Sequence, residues 1–397
     1  MNEKYAPLFE TVPLPNGVEL RNRFVLAPMT HVTSNDDGTA SNAEIEYIGK
    51  RSRGMGLALT AASNVTNLGK AFPGQPSIAH DSDIEGLKKV AQAMKADGAK
   101  AVVQIHHGGV QALPELTPGG DSAGPSPITM QSFDEAEPHD AREITESEID
   151  ETIKAFGEAT RRAAEAGFDG VEIHGANHYI IHQFVSPHFN KRMDKWGEDR
   201  YLFAMEVVDE VVKAAKTHAG DDFIIGYRFS PEEPQSPGID MEITETLIGK
   251  LVEKPLDYLH VSLFDIHSET RDGKYAGIER VELLHKWIGG RMPLIGIGSI
   301  FTPDQAKTYG LIDEIGFIED AIERVCEIQG LELSEVRVVK FDPPPSLFGL
   351  PTISAASQHS SGPASLLRAL ESTAPRTYFL CSSLPPLMTI ANYGRDE

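Results

Sequence analysis

The chain has 397 residues, of which 40% are hydrophobic, so it is long enough for one large α/β domain with or without an appendage. A formal net charge of −23 argues against nucleic acid and anionic membrane surfaces as partners, and two cysteines exclude a disulfide framework and a cysteine-based metal or iron–sulfur site. No run approaches the roughly 18 apolar residues of a membrane span, and the N-terminal residues contain no apolar signal-peptide segment, which predicts a cytoplasmic protein.

The N-terminal part of the chain alternates apolar strands with an amphipathic helix. Short apolar runs predict strands at residues 21–29, 57–62 and 101–106. Residues 83–96 carry apolar side chains at helical spacing, which predicts a helix between the second and third strands. Residues 108–143 are rich in Pro, Gly, Ser and acidic residues, and a segment of this length predicts a functional lid or a disordered loop.

A capping box restarts the alternation. Thr145 and Glu148 have the spacing that begins a helix, and we predict that this helix ends at Gly167. An apolar strand beginning at residue 170 follows directly. The remaining predicted elements are helices at 201–217, 244–252 and 281–287 and strands at 223–229, 258–263 and 293–297.

Seven strand-plus-helix units in strict alternation predict a parallel sheet, and their similar spacing and mostly short connections favour a closed (β/α)8 TIM barrel. A doubly wound sheet is the alternative. That fold would place a glycine-rich phosphate loop after the first strand, where this chain has PMTHVTSNDDG instead. The predicted fold class is therefore α/β, a (β/α)8 barrel.

Polar side chains follow the ends of several predicted strands, and a barrel brings those ends to one mouth. Within ten residues the stretch GVEIHGANHY presents His174, Asn177 and Tyr179. The full set at the predicted mouth is Thr30, Ala62, Gln104, His174, Asn177, Tyr179 and Arg228. These are mostly neutral groups with one arginine, which suits a planar, polar cofactor that carries partial negative charge.

Other chemistries find less support. His106 and His107 suggest a metal but lack carboxylate companions, so we predict no metal site. No G-x-S-x-G sequence supports serine hydrolysis. His182 and His188, taken singly, are interpreted as structural polar residues.

Long motifs resemble the Old Yellow Enzyme family of FMN-dependent ene-reductases and NADH:flavin oxidoreductases, from residue 5 to about residue 300. The motifs that carry the resemblance are RNRFVLAPMT (21–30), VVQIHHGG (102–109), GFDGVEIHGANHYIIHQFVSPHFNKRMDKWG (167–197), GYRFSP (226–231) and GIGSIFTPDQA (296–306). They occur in the family's order and spacing.

The resemblance implies roles for the predicted site residues around FMN, with NADH or NADPH as reductant. Residues implied to contact the isoalloxazine are Pro28, Met29, Thr30 and Ala62, with Gln104 at the pyrimidine edge and Arg228 beside N1 and O2. His174 and Asn177 would bind the carbonyl oxygen of a small-molecule enone, and Tyr179 would protonate its α-carbon. Two alternatives stay open: Gln104 and Thr30 cap strand ends, and Arg228 pairs with Glu172.

The chain departs from the family at His178, where glycine is usual, and this side chain either narrows the substrate side or adds a donor. After residue 306 the family expects an eighth strand ending in Gly-Arg, which holds the FMN phosphate, and no Gly-Arg occurs in residues 307–347. Gly298 and Ser299 are then left to bind the phosphate, so we expect weakened FMN binding. The eighth barrel unit is atypical or missing unless residues 311–318 replace it.

Residues 301 to about 390 resemble instead the C-terminal end of the signal-peptide peptidase A family, through FTPDQAKTYGLIDEIGFIEDAIERV and VRVVKFDPPPSL. The chain therefore resembles a fusion, with an FMN-binding barrel at 1–306 and an atypical segment at 307–397. We predict a helix at 318–328, a strand at 336–340 and a weakly ordered linker at 343–375.

The peptidase family's Ser/Lys dyad is not in that segment, so no protease activity is expected. Two functions stay open at this point: an FMN-dependent ene-reductase, and a catalytically dead scaffold that does not retain FMN. The sequence leaves open whether the protein forms a homo-oligomer.

Overall fold

Twelve strands and eight α-helices are assigned among residues 3–130, 138–271 and 273–299, which together with Cys326 are the residues that the computed structural model describes. The strands are β1 Val12–Pro13, β2 Glu19–Leu20, β3 Val25–Leu26, β4 Leu57–Asn64, β5 Lys100–His106, β6 Ser122–Gly124, β7 Ile128–Met130, β8 His139–Glu143, β9 Gly170–Gly175, β10 Ile224–Phe229, β11 Tyr258–Val261 and β12 Leu294–Ile295. The helices are α1 Asn42–Arg51, α2 Ile84–Lys95, α3 Glu146–Glu165, α4 Ile180–Val185, α5 Lys195–Glu198, α6 Leu202–His218, α7 Met241–Leu251 and α8 Arg280–Ile288.

Seven parallel strands form the central sheet, in the order β12-β11-β10-β9-β5-β4-β3. Each step along this order, read from β3, crosses through at least one helix, and parallel strands joined by helices are the repeating unit of a TIM barrel. The predicted α/β class and (β/α)8 TIM-barrel fold are confirmed, with seven barrel strands in the described part of the chain. The stretch 311–318, our candidate for an eighth strand, lies outside it.

Side-chain alternation decides what each barrel strand buries. In β9, Val171 and Ile173 pack into the apolar layer beneath the helices, whereas Glu172 and His174 belong to the opposite face, which is the barrel interior. All six residues of β9 are buried, as a strand covered on both faces requires. The two-residue alternation of the strand therefore directs its polar side chains into the barrel and its apolar side chains toward the surrounding helices.

The β1–β2 hairpin closes one end of the barrel. Leu14, Val18 and Leu20 from the hairpin share an apolar cluster with Leu57, Leu59, Val102, Ile224 and Tyr258. Those barrel residues lie near the starts of β4, β5, β10 and β11. The hairpin thus covers the end where the strands begin, and the end where they finish is the mouth.

The helix predicted from the capping box is confirmed. Thr145 is the N-cap of α3, its hydroxyl accepts from the Glu148 backbone N–H, and the Glu148 carboxylate accepts from the Thr145 N–H. The helix ends at Glu165, and Gly167 follows in the left-handed conformation, with φ of +81°.

Of the two interpretations of residues 108–143, the disordered loop is wrong for the part that the structure describes, and the functional lid stays a prediction. Strands β6, β8 and β7 form a three-stranded sheet, with β6 parallel and β7 antiparallel to β8. Val110, Ala141 and Phe189 form a small apolar cluster beneath it, and Arg142 in β8 pairs with Asp121 and with Glu148. A few apolar contacts and one bridging arginine order a segment whose composition shows no periodicity.

Several predictions fall on residues outside the described ranges: the helix at 318–328, of which only Cys326 is described, the strand at 336–340 and the linker at 343–375. The predicted boundary at 306 stays a prediction. Among the residues that the structure describes, no helix combines the length and the apolar character needed to cross a bilayer.

Candidate active site

The candidate site lies at the mouth, where neighbouring strands set their polar side chains in register. Arg228 of β10 is the register partner of His174 in β9. Gln104 of β5 pairs with Ala62 of β4 on one side and with Glu172 of β9 on the other. The sheet thus brings together five residues from four strands, and four of these residues belong to the predicted site.

A buried carboxylate organises the layer beneath the mouth. Glu172 accepts a hydrogen bond from Gln104 Nε2 at 2.7 Å and contacts His260 Nδ1 at 2.9 Å. Burial raises the pKa of Glu172, but His260, Arg228 and Gln104 favour the ionised form, and the net shift is downward. One of the two amide hydrogens of Gln104 is engaged, which leaves its carbonyl oxygen and its second amide hydrogen for a ligand.

Arg228 is almost fully buried and makes its hydrogen bond to a residue that we did not predict. Its Nη2 donates to Ser262 Oγ at 3.0 Å, and its buried Nε has no partner among the described residues. Burial lowers the pKa of the Arg228 guanidinium, and the nearby Glu172 carboxylate, which acts to raise that pKa, offsets the effect only in part. The alternative of a direct Arg228–Glu172 ion pair is not what the described residues show, since Glu172 uses its two oxygens for Gln104 and His260.

Ser262 also reaches the substrate side of the site. Its Oγ lies 3.2 Å from Asn177 Nδ2, and the backbone N–H of Asn177 donates to Ser230 Oγ at 3.0 Å. One hydroxyl therefore connects Arg228 with Asn177. Asn177 itself is exposed, and one of its two amide hydrogens is left for a ligand.

The turn that carries Asn177 is held in an uncommon conformation. Asn177 and His178 both have positive φ, 58° and 59°, which is unfavourable for a side chain with a Cβ. The Nε2 of Gln111 donates to the carbonyl oxygens of Asn177, at 3.0 Å, and of His178, at 2.6 Å. Gln183 Nε2 also donates to the His178 carbonyl, at 2.6 Å. These amides hold the turn at the mouth.

His174 is a neutral imidazole in a defined tautomer. Burial lowers its pKa well below 6.5, and the charge of Arg228 lowers it further. Its Nδ1 accepts a hydrogen bond from the Ala176 backbone N–H at 3.3 Å. The hydrogen is therefore assigned to Nε2, which can donate to a ligand.

Tyr179 lies beside His174 at the start of α4. The centroid of its ring is 5.0 Å from that of His174 and 4.1 Å from that of His106, both edge to face. Burial raises the pKa of Tyr179, although Arg228 opposes the shift. The phenol is therefore protonated at neutral pH and can act as a proton donor.

The remaining predicted residues flank this cluster. Pro28, Met29 and Thr30 follow β3, and Met29 is 64% exposed, unusual for a large apolar side chain. Gly298 and Ser299 follow β12, with φ of 111° and 34°. A Cβ at residue 298 would lie 2.3 Å from the Leu263 carbonyl oxygen, so the backbone there requires glycine.

Sequence reasoning missed Ser262, Gln111, His260 and Glu233. Ser262 directly follows β11, and it could have been found by the rule that identified Arg228, a polar residue at a strand end. Glu233 contacts His182 across 51 positions of sequence, with Nε2 to Oε2 at 2.8 Å, and no local spacing indicates this contact.

Residues 7–316 match the sequence model of the NADH:flavin oxidoreductase / NADH oxidase family. The chain belongs to that family. Among its relatives is the probable NADH-dependent flavin oxidoreductase YqiG of Bacillus subtilis (strain 168), which is 54% identical over 309 residues, 77% of this chain and 82% of the relative. The NADH:acrylate oxidoreductase of Vibrio harveyi is 42% identical over 301 residues, which cover 74% of this chain but only 30% of that protein.

Two solved structures share the fold of this chain. Morphinone reductase in complex with tetrahydroNAD is 26% identical, with a TM-score of 0.62 over 76% of this chain and 84% of the other. The Old Yellow Enzyme homologue from Zymomonas mobilis is 23% identical, with a TM-score of 0.64 over 78% of this chain and 88% of the other, and supports the fold alone.

This NADH:flavin oxidoreductase family member is an oxidoreductase, and its family implies a flavin and a nicotinamide reductant. The residues at the mouth fit a flavin. Arg228 carries a buried guanidinium N–H without a partner among the described residues, which suits an electron-rich ring edge. Gln104 offers a free carbonyl oxygen, and the exposed Met29 offers apolar surface to a planar ring.

Proposed function

We propose that the chain is an FMN-dependent ene-reductase, which transfers hydride from NADH or NADPH to the activated C=C bond of a small α,β-unsaturated carbonyl compound. FMN, when bound, accepts the hydride and delivers it. The observation that carries the proposal is the bridge through Ser262, which joins the cationic group of Arg228 to the amide of Asn177. Family membership supports it, and His174, the register partner of Arg228, adds a second neutral donor.

His174 and Asn177 would hold the carbonyl oxygen of the substrate. Nε2–H of His174 and one amide hydrogen of Asn177 are available as donors, and two neutral donors stabilise the negative charge that develops on this oxygen as the double bond is reduced. Burial of His174 excludes water and strengthens this interaction. Because the turn at Asn177 is fixed by Gln111, little reorganisation is needed.

Tyr179 would give its phenolic proton to the α-carbon of the substrate. Its pKa is raised by burial, so the proton is present at neutral pH, and its ring contacts His174. The two carbonyl donors and the acid thus lie within six positions, from the end of β9 to the start of α4.

On the cofactor side, the roles follow the family resemblance. Pro28, Met29, Thr30 and Ala62 would contact the isoalloxazine ring, and Gln104 would bind its pyrimidine edge. Arg228 would place its positive charge beside the N1 and O2 positions. A fixed cation there favours uptake of electrons.

The phosphate end is the weak part of this site. Gly298 and Ser299 present backbone amides after β12, but no Gly-Arg follows in the sequence up to residue 316, where the family match ends. We propose that FMN is held less tightly than the mouth alone would allow. We also propose that the segment after about residue 301 derives from the end of a signal-peptide peptidase A relative, that it brings no protease activity, and that the protein is cytoplasmic.

The experiment is a visible spectrum of the purified protein, then bleaching by NADH or NADPH under anaerobic conditions and recovery on addition of 2-cyclohexenone. A paired substitution, His174→Ala with Asn177→Ala, should leave flavin bound but abolish enone turnover. Full turnover in that variant would overturn the roles given to these two residues.

The second candidate function is a scaffold that does not retain flavin, and the missing Gly-Arg favours it. A colourless protein that takes up no flavin on incubation with FMN would select this function and remove the first.

A further inference from the structure

We propose that His178, His182 and Glu233 form a binding site for a divalent transition-metal ion of the zinc type, beside the active site and separate from the flavin chemistry. His182 Nε2 lies 2.8 Å from Glu233 Oε2, and His178 Nε2 lies 3.5 Å from the same oxygen. One ligand atom from each of the three residues lies within 4.8 Å of the other two. Two imidazoles and one carboxylate are a donor set that zinc prefers.

The separations fit an ion with small side-chain rotations. Zinc sits about 2.0–2.2 Å from nitrogen and oxygen ligands, so two of its ligand atoms are roughly 3.3 Å apart in a tetrahedral site. The observed 2.8 Å and 3.5 Å lie on either side of that value. The rings of His178 and His182 are edge to face, with centroids 4.7 Å apart, and the Nε2 atoms of both rings lie within 3.5 Å of the same oxygen, Glu233 Oε2.

Glu233 is oriented by groups outside the cluster. Its Oε1 accepts hydrogen bonds from the Ser186 hydroxyl and, at 2.7 Å, from the Ile239 backbone N–H. The other oxygen, Oε2, is thereby left facing the two histidines. Fixing a carboxylate through one oxygen while the other binds the ion is the usual outer-shell support of a metal site.

His182 and Glu233 are almost fully buried, whereas the His178 side chain is 23% exposed. An ion can therefore enter past His178 and lose its bound water molecules when it binds Glu233. His182 Nδ1 has no partner among the described residues, so apart from Glu233 nothing there fixes its hydrogen on Nε2. The ring can place the hydrogen on Nδ1 and present the Nε2 lone pair to a cation.

His178 is the residue on which a test can act without damage to the fold. It has φ of 59°, a conformation that glycine adopts more readily than histidine, so His178→Gly removes one ligand and relieves backbone strain. His285, an exposed histidine in the last turn of α8, provides a matched control for adventitious binding by surface imidazoles.

The test is equilibrium dialysis of the tag-free, chelator-treated flavoprotein against Zn²⁺, with bound metal measured by inductively coupled plasma mass spectrometry and flavin content measured in parallel. Wild type and His285→Ala should bind one Zn²⁺ per chain with equal affinity. His178→Gly should bind it at least about 100-fold more weakly, since even outer-shell changes cost 10–100-fold, with unchanged flavin content. Equal Zn²⁺ affinity in wild type and His178→Gly, or no Zn²⁺ bound by wild type, would overturn the site.

Discussion

The guanidinium of Arg228 donates a hydrogen bond to the hydroxyl of Ser262 at 3.0 Å, and this hydroxyl is within 3.2 Å of the amide nitrogen of Asn177. Ser262 therefore positions one group on the proposed flavin side and one on the proposed substrate side. We propose that Ser262 acts on the reaction through the two residues that it holds.

Removing this hydroxyl should slow turnover and leave the fold intact. Ser262→Ala takes a hydrogen-bond acceptor from a charged group, worth about 1.5–3 kcal/mol, so we expect kcat/KM for an enone to fall about 10-fold to 100-fold. Ser262→Thr keeps the hydroxyl and should recover most of the loss. Steady-state assays with NADH and 2-cyclohexenone measure both variants, and an unchanged kcat/KM in Ser262→Ala would contradict the positioning role.

Tyr179→Phe should separate the two halves of the reaction. The ring packing against His106 and His174 is retained, so flavin content should not change, but the proton donor is gone. We expect oxidation of the reduced enzyme by an enone to slow by about 10²-fold or more, as for loss of a general acid, and reduction by NADH to be unaffected. Stopped-flow absorbance follows the two steps separately.

The control for this variant is Tyr201→Phe, which removes a hydroxyl that donates to the Ile243 carbonyl, away from the mouth. It should match wild type in both half-reactions. Equal slowing of both half-reactions in Tyr179→Phe would indicate a structural effect and not a lost acid.

The strand-end residues show what a sequence can predict. His174, Asn177 and Tyr179 lie within six positions, so any fold that ends a strand at residue 175 brings them together. Gln104 and Arg228 follow from the barrel, because parallel strands of similar length deliver their ends to one mouth. These predictions required only the period of buried residues and the number of strand-plus-helix units.

The partners of those residues required the fold itself. Glu233 meets His182 because the loop after β10 passes over α4, and Gln111 reaches the Asn177 carbonyl from a segment predicted to be a loop. The sheet of β6, β7 and β8 was missed because its strands have only three to five residues each, too few to show a strand period. Contacts between residues far apart in sequence hold it in place, among them the Arg142–Asp121 ion pair.

Two buried histidines next to the mouth predict that the protein is less stable in mild acid. Burial lowers the pKa of His106 to about 3 and that of His107 to about 4. Between about pH 6.5 and those values the unfolded chain binds protons at both positions and the native chain does not, so stability falls as pH falls. Well below pH 6.5 the loss approaches about 1.4 kcal/mol per pH unit for each histidine.

His107→Gln tests that pH dependence. In wild type the Gly109 backbone N–H donates to His107 Nδ1 at 3.0 Å. Glutamine cannot be protonated in this pH range, and its carbonyl oxygen can accept the same hydrogen bond. Between pH 7.5 and pH 5.5, urea unfolding should show a loss of unfolding free energy that is smaller by about 1.4 kcal/mol in total, or about 0.7 kcal/mol per pH unit on average, in His107→Gln than in wild type. His285→Gln, at an exposed position, should leave the slope unchanged. A slope as steep as that of wild type in His107→Gln would contradict the shift assigned to His107.

Gln111 is expected to control the position of Asn177 through the backbone. Its amide donates to the carbonyl oxygens of two consecutive left-handed residues, Asn177 and His178. The His178 carbonyl also accepts a hydrogen bond from Gln183, so loss of the Gln111 donor affects the Asn177 carbonyl more. Gln111→Glu is nearly isosteric, but an ionised carboxylate cannot donate and repels both carbonyls. We expect it to lower the free energy of unfolding by about 1–3 kcal/mol.

The same variant should reduce kcat/KM for the enone about 10-fold or more, since one donor to the substrate oxygen is displaced. Reduction by NADH should change less, because Arg228 and Gln104 keep their partners. Gln92→Glu, at an exposed position of α2, makes the same chemical change away from the mouth and should match wild type in both stability and turnover. If Gln111→Glu lowers the unfolding free energy but leaves enone turnover unchanged, the Asn177 side chain does not depend on this turn for its position, and its proposed role as a fixed donor is wrong.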